Sequence, residues 1–266
     1  MIRAVFEKLL NLVQSNLTRL KVRSYSILDH MVSSKLLGKF VSPNFRAKIS
    51  RVSHRKTIDS LDNLYAFWKQ KKPEGNFFNP QSLSPRSETI ITMLKSRITT
   101  DTKILEVGCN VGRNLNHLHK KGYEQLAGIE ISHHAVKRLR QAYPDLDSVK
   151  IDIGPAENIL SLYGTGLFDV VFTMAVIEHI HPSSKILFSE IARVALQYVL
   201  TIEPRNAHSS HRQYPWDVVK EFENVGLKLI SKKVWSSLWT TTLNKENHWS
   251  KDFDNYDALL FEVQKN

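Results

Sequence analysis

The sequence predicts an α/β fold, a mostly parallel sheet with helices on both faces, preceded by a basic helical extension. Three observations carry this. Short apolar runs alternate with helix-periodic stretches from about residue 86 onward. The first of those runs ends in a glycine-punctuated turn, "ILEVGCNVGRN" at 104–114. The charge is also unevenly placed. The 266 residues carry a net +11; residues 1–72 hold 15 Lys+Arg against 4 Asp+Glu, while residues 73–266 balance at 22 of each.

The elements follow in chain order. In residues 2–20, Ile2, Val5, Phe6, Leu9, Leu10, Val13, Leu17 and Leu20 recur at steps of three and four, one face of a basic amphipathic helix. Such a helix packs on the rest of the protein, lies on an anionic membrane surface, or serves as a targeting segment, a use that Glu7 argues against. Residues 21–58 stay basic and hold a second apolar patch, Met31 to Phe40, with no role assigned. "PEGNFFNPQSLSPRS" (73–87) reads as a loop, so the expected division is an extension over 1–72 and a globular domain over 73–266. A helix is expected over Glu88–Ser96, with Ser84 and Ser87 as cap candidates and Pro85 in its first turn.

Strands are expected at Lys103–Val107, Gln125–Glu130, Ser148–Ile153, Asp169–Thr173 and Gln197–Ile202. Helices fall between them at Arg113–Lys121, His133–Ala142, Ala156–Leu162 and Ser184–Ala195. Strand–helix alternation with short connections builds a parallel sheet covered on both faces. The tail adds a helix, Trp216–Val225, and two strands, Lys228–Trp235 and Tyr256–Gln264, joined by a hydrophilic loop at Asn244–Asn255. That arrangement gives the sheet an antiparallel finish.

Composition bounds the function. With 42% hydrophobic residues the chain has enough apolar material for a core. Its one cysteine, Cys109, cannot form an internal disulfide and points to a reducing, cytoplasmic setting. No apolar run approaches the roughly 18 residues of a membrane span, and no secretory signal is read at the N-terminus. A nucleic-acid enzyme would spread basic residues around its cleft; here the globular part is neutral, and its charge offers no such track.

Ligands of open parallel sheets bind beyond the carboxyl ends of the strands, near the point where strand order reverses. At the end of the first strand, Gly108 and Gly112 admit a close ligand, and the helix from Arg113 offers free N–H groups. A dinucleotide site uses G-x-G-x-x-G; this chain has G-x-x-x-G, with Asn110 at the middle glycine's place. Glu106, two residues before the first glycine, would repel a pyrophosphate and suit an ammonium or sulfonium group. That favours S-adenosylmethionine (SAM) over NAD. Glu130, in "LAGIEIS", lies where an acid takes ribose hydroxyls in either kind of site.

On "ILEVGCNVGRN", "LAGIEIS", "IGPAENI", "FDVVFTMAVIEHI" and "YVLTIEP" the chain resembles the class I SAM-dependent methyltransferases over about residues 86–264. The resemblance implies a Rossmann-like sheet of seven strands with the last antiparallel, and SAM as methyl donor, leaving S-adenosylhomocysteine (SAH). Carried over, Glu106, Gly108, Asn110 and Gly112 surround the methionine half of the cofactor, with Cys109 packing inside the turn. Glu130 holds the ribose, Ile131 the adenine face, Ala156 and Glu157 the adenine edge, and Thr173 and Met174 the sulfonium side. Arg86 pairs with the cofactor carboxylate. The acid that often reads the adenine amine aligns with Pro155, and Asp152 stands three residues earlier.

Methyl transfer from a sulfonium asks the protein to align nucleophile and methyl, and a hydroxyl or amine acceptor benefits from a base. His179, with Glu178, is the candidate; the alternative is that both brace the loop after the fourth strand. Arg205, His208 and His211 crowd a loop at the same end of the sheet, suited to an anionic or polar acceptor, and no metal site is expected. Tyr65, Trp68, Phe77 and Phe78 are either a lid or packing residues. The leading expectation is methyl transfer to oxygen or nitrogen of a small molecule. The rivals are a nucleic-acid methyltransferase or binder using the basic N-terminus, an NAD-dependent oxidoreductase, and a non-catalytic scaffold.

Overall fold

The central strands show no alternation of apolar and polar residues because helices cover both faces of their sheet. Strands β1 (Ile104–Val107) and β2 (Leu126–Glu130) are buried at every position. The computed structural model describes residues 59–72, 84–205, 212–234, 238 and 255–264. These lie within one unit, Asp59–His208 with Arg212–Asn266. The 2–20 stretch, the Met31 to Phe40 patch, Phe77, Phe78, His208, His211 and most of the 244–255 loop fall outside the described residues.

The remaining strands are β3 (Lys150–Ile153), β4 (Phe168–Met174), β5 (Ala195–Pro204), β6 (Leu227–Val234) and β7 (Tyr256–Val263). Their order is β3-β2-β1-β4-β5-β7-β6. β1 pairs in parallel with β2 and with β4, which places the reversal of strand order between them. β7 runs antiparallel to both neighbours, β5 and β6. The seven strands and the antiparallel last one agree with expectation.

Helices α2 (Ser84–Leu94), α3 (Arg113–Lys120) and α4 (His133–Ala142) cover one face. Their Ile90, Leu94, Leu115, Leu118 and Leu139 pack on Ile104, Val170, Phe172, Leu200 and Leu260. Helices α5 (Ala156–Leu160), α6 (Ile186–Val194) and α7 (Val218–Glu223) cover the other. There Leu160, Leu187, Phe188, Ile191 and Phe222 meet Leu105, Val107, Val171, Val199 and Phe261. The period-2 pleat sends neighbouring strand residues into opposite cores.

Two features at the N-terminal side differ from expectation. Helix α1 (Leu61–Gln70), which falls in the expected 1–72 extension, belongs to the same unit as the sheet. Its cap is Ser60, whose side chain accepts from the Asn63 N–H at 3.3 Å. Ser87 is no cap: α2 already begins at Ser84, and the buried Ser87 hydroxyl donates to Asn114 Oδ1 at 2.7 Å.

Candidate active site

A cavity of about 440 Å³ opens at the carboxyl ends of β1, β2 and β4, where the strand order reverses. Its floor is the turn after β1. Gly108 (φ +77°) and Asn110 (φ +50°) both sit in the left-handed region, which Asn tolerates better than other non-glycine residues. A Cβ on Gly108 would come within 2.5 Å of Val176 Cγ2, so any other residue there displaces the Val176 side chain. Gly112 (φ +74°) caps α3 and does not line the cavity; Leu139 occupies the space its Cβ would need.

Glu106 is 2% exposed, with Oε1 accepting from Asn114 Nδ2 at 2.7 Å. Its Oε2 is buried and has no hydrogen-bond partner among the described residues. Burial pushes its pKa up to about 8. An unpaired buried carboxylate oxygen is costly unless a donor arrives, and a cationic ligand group supplies one. Glu130 closes the far side of the turn. Its carboxylate accepts from the backbone N–H of Asn110 and of Ser132, both at 2.8 Å, and burial raises its pKa. Each oxygen keeps a lone pair for a hydroxyl. Ser132 caps α4 and donates its hydroxyl to the Lys71 carbonyl at 3.1 Å, tying the end of α1 to this wall.

Arg86, Cys109, Ile131, Ala156, Glu157 and Met174 also line the cavity. Cys109 is buried beside Gly128, and burial raises its thiol pKa, as suits a packing residue. Glu157 receives the Tyr65 hydroxyl from α1. Asp152 is outside the cavity, holding Lys150 Nζ at 3.0 Å and the Tyr163 hydroxyl, whereas Pro155 lines it. Thr173 is fully buried and donates to Glu203 Oε1 at 2.8 Å; it faces the clamp below the site, not the cavity.

Beyond β4, a 3-10 turn (Ile177–His179) brings Glu178 and His179 to the rim. His179 Nδ1 lies 3.0 Å from the Arg212 carbonyl. A carbonyl only accepts, so the proton is on Nδ1 and the lone pair of the neutral ring is on Nε2. The ring packs against Trp68 at 4.7 Å, and burial lowers its pKa, keeping it neutral near pH 7. Glu178 is the brace: its carboxylate accepts from Tyr256 Oη at 3.1 Å and Gln213 Nε2 at 2.9 Å, and its carbonyl from the Tyr214 N–H at 2.7 Å.

Of the predicted acceptor residues, Arg205 pairs with Asp257 at 2.9 Å and does not line the cavity. Its turn away follows from the buried Asp257 on β7, which also holds Lys232 at 3.0 Å. His208 and His211 lie outside the described residues. Tyr65 and Trp68 do line the cavity. Sequence reasoning missed Lys71, Arg113, Gln213 and Tyr256, which line it too. Arg113 had a local signal, since it opens the helix that follows the glycine turn; the others come from segments remote in the chain. Among the described residues no helix is long and apolar enough to cross a membrane, and no group of three His, Cys, Asp or Glu is placed to hold a metal ion.

Residues 105–197 match the sequence model of the family described as "Methyltransferase domain". The curated norajmaline N-methyltransferase of Rauvolfia serpentina is 28% identical over 169 residues, which cover 59% of this chain and 57% of that protein. The chain thus spans little more than half of that relative's length. Among solved structures, phosphoethanolamine N-methyltransferase 2 of Haemonchus contortus, in complex with S-adenosyl-L-methionine, has a TM-score of 0.58 at 16% identity, covering 79% of this chain and 61% of that one. The [4+2]-cyclase SpnF has a TM-score of 0.55 at 14% identity, covering 75% and 86%. Both structural likenesses concern the fold. The family match over 105–197, the seven-stranded order and the carboxylate-bearing glycine turn together support a methyltransferase domain of the class I SAM-dependent kind.

Proposed function

We propose that this protein transfers a methyl group from SAM to an oxygen or nitrogen atom of a small-molecule acceptor. The observation that carries the reading is Glu106. A buried carboxylate with an unpaired oxygen at the cavity floor suits a ligand with a cationic amino group and no phosphate. Glu106 would hold that ammonium, Glu130 the ribose hydroxyls, and Arg86 the carboxylate, with Ile131, Ala156 and Glu157 around the base and Met174 at the sulfur side. Bound there, SAM supplies a methyl group already activated by its positive sulfur.

The chain's own residues align the acceptor and exclude water. Trp68 and Tyr65 roof the cavity. His179, with its lone pair on Nε2, takes a proton from the acceptor as base. Glu178 fixes the turn that carries His179. A neutral globular part and a cavity of about 440 Å³ support a small acceptor over a nucleic acid. The family match and the curated N-methyltransferase relative support methyl transfer; the two solved structures share only the fold, which does not dictate chemistry.

Calorimetry with SAM, SAH and NAD tests the cofactor reading, with tight binding of SAM and SAH and none of NAD expected. SAH release from labelled SAM in the presence of a metabolite extract tests transfer. NAD binding, or no binding of SAM and SAH, overturns the proposal.

A further inference from the structure

Glu203 is the third carboxylate buried near the cavity, and it does not line it. It stands near the end of β5, 3% exposed, beside the β4 end in the sheet. A carboxylate at a strand end is expensive to bury unless its oxygens are satisfied. They are, and by donors of a single segment. Oε1 accepts from Thr173 Oγ1 at 2.8 Å; the Val176 N–H is shared between Oε1 at 3.2 Å and Oε2 at 3.1 Å; the Ile177 N–H reaches Oε2 at 3.1 Å.

The segment so held departs from ordinary backbone. Ala175 has φ +56°, a conformation unfavourable for a residue with a Cβ, and its N–H donates to Ile202 O at 2.9 Å. The turn at Ala175 places Val176 over Gly108 on the cofactor side. Three residues further on, the same turn presents His179, whose N–H donates back to Val176 O at 2.9 Å. One carboxylate therefore stands under both halves of the site.

We infer that Glu203 is a positioning residue, which through its hydrogen bonds to the 173–177 segment sets Val176 against the glycine turn and His179 at the cavity rim. The inference rests on the proposed function for its meaning in catalysis, but the placement itself does not need a ligand. Removing the carboxylate leaves two backbone N–H groups without an acceptor and lets Ala175 relax toward ordinary φ. A glutamine keeps the clamp. Its oxygen takes the Val176 and Ile177 N–H groups, and its NH₂ meets Thr173 Oγ1, which turns from donor to acceptor. Burial pushes the Glu203 pKa up to about 8, so a neutral amide of that shape is a close replacement near pH 7.

The test uses the full-length chain with two readouts, SAH affinity by calorimetry and titration of the His179 ring by ¹⁵N NMR. Glu203→Ala is expected to lower SAH affinity about tenfold, since small displacements in a pre-formed site are costly. It also moves the His179 pKa upward as the ring leaves its packed place. Glu203→Gln is expected to match the parent protein on both. A folded Glu203→Ala protein with unchanged SAH affinity and His179 titration overturns the inference, as does Glu203→Gln failing as fully as Glu203→Ala. If Glu203→Ala does not fold, Thr173→Val takes its place, with smaller shifts in the same directions expected and unchanged values counting against the inference. Parent protein that does not bind SAH sinks the proposed function alone; the His179 titration still reads the placement.

Discussion

At the proposed cofactor end the cavity is lined by the turn from Gly108 through Asn110 and the ends of β1 and β2, with Glu130 hydrogen-bonded to the turn and Glu106 to Asn114 on α3. Toward the proposed acceptor end the lining residues come from distant segments: Trp68 from α1, His179 from the turn after β4, Gln213 from the 212–216 segment and Tyr256 from β7. Asp59 and Arg212, 2.7 Å apart, join two of those pieces. The first end is a local product of strand, glycine and helix start. The second exists only once distant segments have met. A locally built wall fits one constant ligand, whereas a wall gathered from distant segments changes with each substitution, and this division suits a shared cofactor and a variable acceptor.

The largest effects belong to the cofactor end. Gly112→Ala puts a Cβ about 2.5 Å from Leu139 on a backbone with φ +74°. Strained φ and overpacking together cost about 2–5 kcal/mol, to be read from the denaturant midpoint. A loss below 1 kcal/mol would show that the turn adapts and is not a fixed frame.

Next comes the charge on that frame. Glu106→Gln should weaken SAH binding about 10- to 100-fold, the worth of a hydrogen bond to a charged group. Because burial raises the Glu106 pKa to about 8, much of it is protonated at pH 7, and an arriving ammonium drives the proton off. Binding of SAH at pH 7 should therefore release protons, measured as a dependence of the calorimetric enthalpy on buffer ionisation. In Glu106→Gln that dependence should shrink. Its persistence would place the coupled proton elsewhere.

Stability should carry the same signature. Glu106 and Glu203 hold protons more tightly folded than unfolded, since both folded pKa values are raised to about 8 from the usual carboxylate range. Their contribution is full below about pH 4, the unfolded value, and is lost as pH rises through about 8. His179, with a lowered pKa, works in the opposite direction at the acid side. The folded state should therefore lose stability from about pH 4.5 to about 8, most steeply above about pH 6.5 where His179 no longer opposes the loss, and the double variant Glu106→Gln/Glu203→Gln should flatten that slope. An unchanged slope in thermal melts would mean that the two carboxylates are not its source.

Legibility in the sequence follows the same division. The strands and helices of the sheet were readable within a few residues because their apolar periods are local. That Glu106, Gly108, Asn110 and Glu130 line the cavity was readable because a turn after a strand imposes residue types on itself. Arg205 misled because a loop at the right end of the sheet says nothing about the buried Asp257 that draws its guanidinium away. Thr173 misled by one step of the pleat: it lies at the right height on β4 but on the side facing Glu203. Tyr256 and Gln213 gave no local signal, since their place depends on β7 pairing with β5 and on the 212–216 segment meeting Glu178. The placement of α1 was hidden by its basic surroundings, though Leu64 is buried in the unit it joins.

The smallest expected effect tests whether the two ends are separable. Trp68 packs on His179, and Lys71 Nζ lies 4.5 Å over its ring. Trp68→Ala should leave SAH affinity within about twofold of the parent, because only loose roof packing is lost at the cofactor end. At the acceptor end the same substitution uncovers the His179 ring. Burial is the leading cause of its lowered pKa, so the ¹⁵N titration should move up toward the ordinary histidine range. A loss of SAH affinity as large as that of Glu106→Gln would mean that α1 is part of the cofactor wall, held there through Tyr65 on Glu157 and the Lys71 carbonyl on Ser132. The cofactor end would then depend on the acceptor end, and acceptor choice could not vary without disturbing cofactor binding.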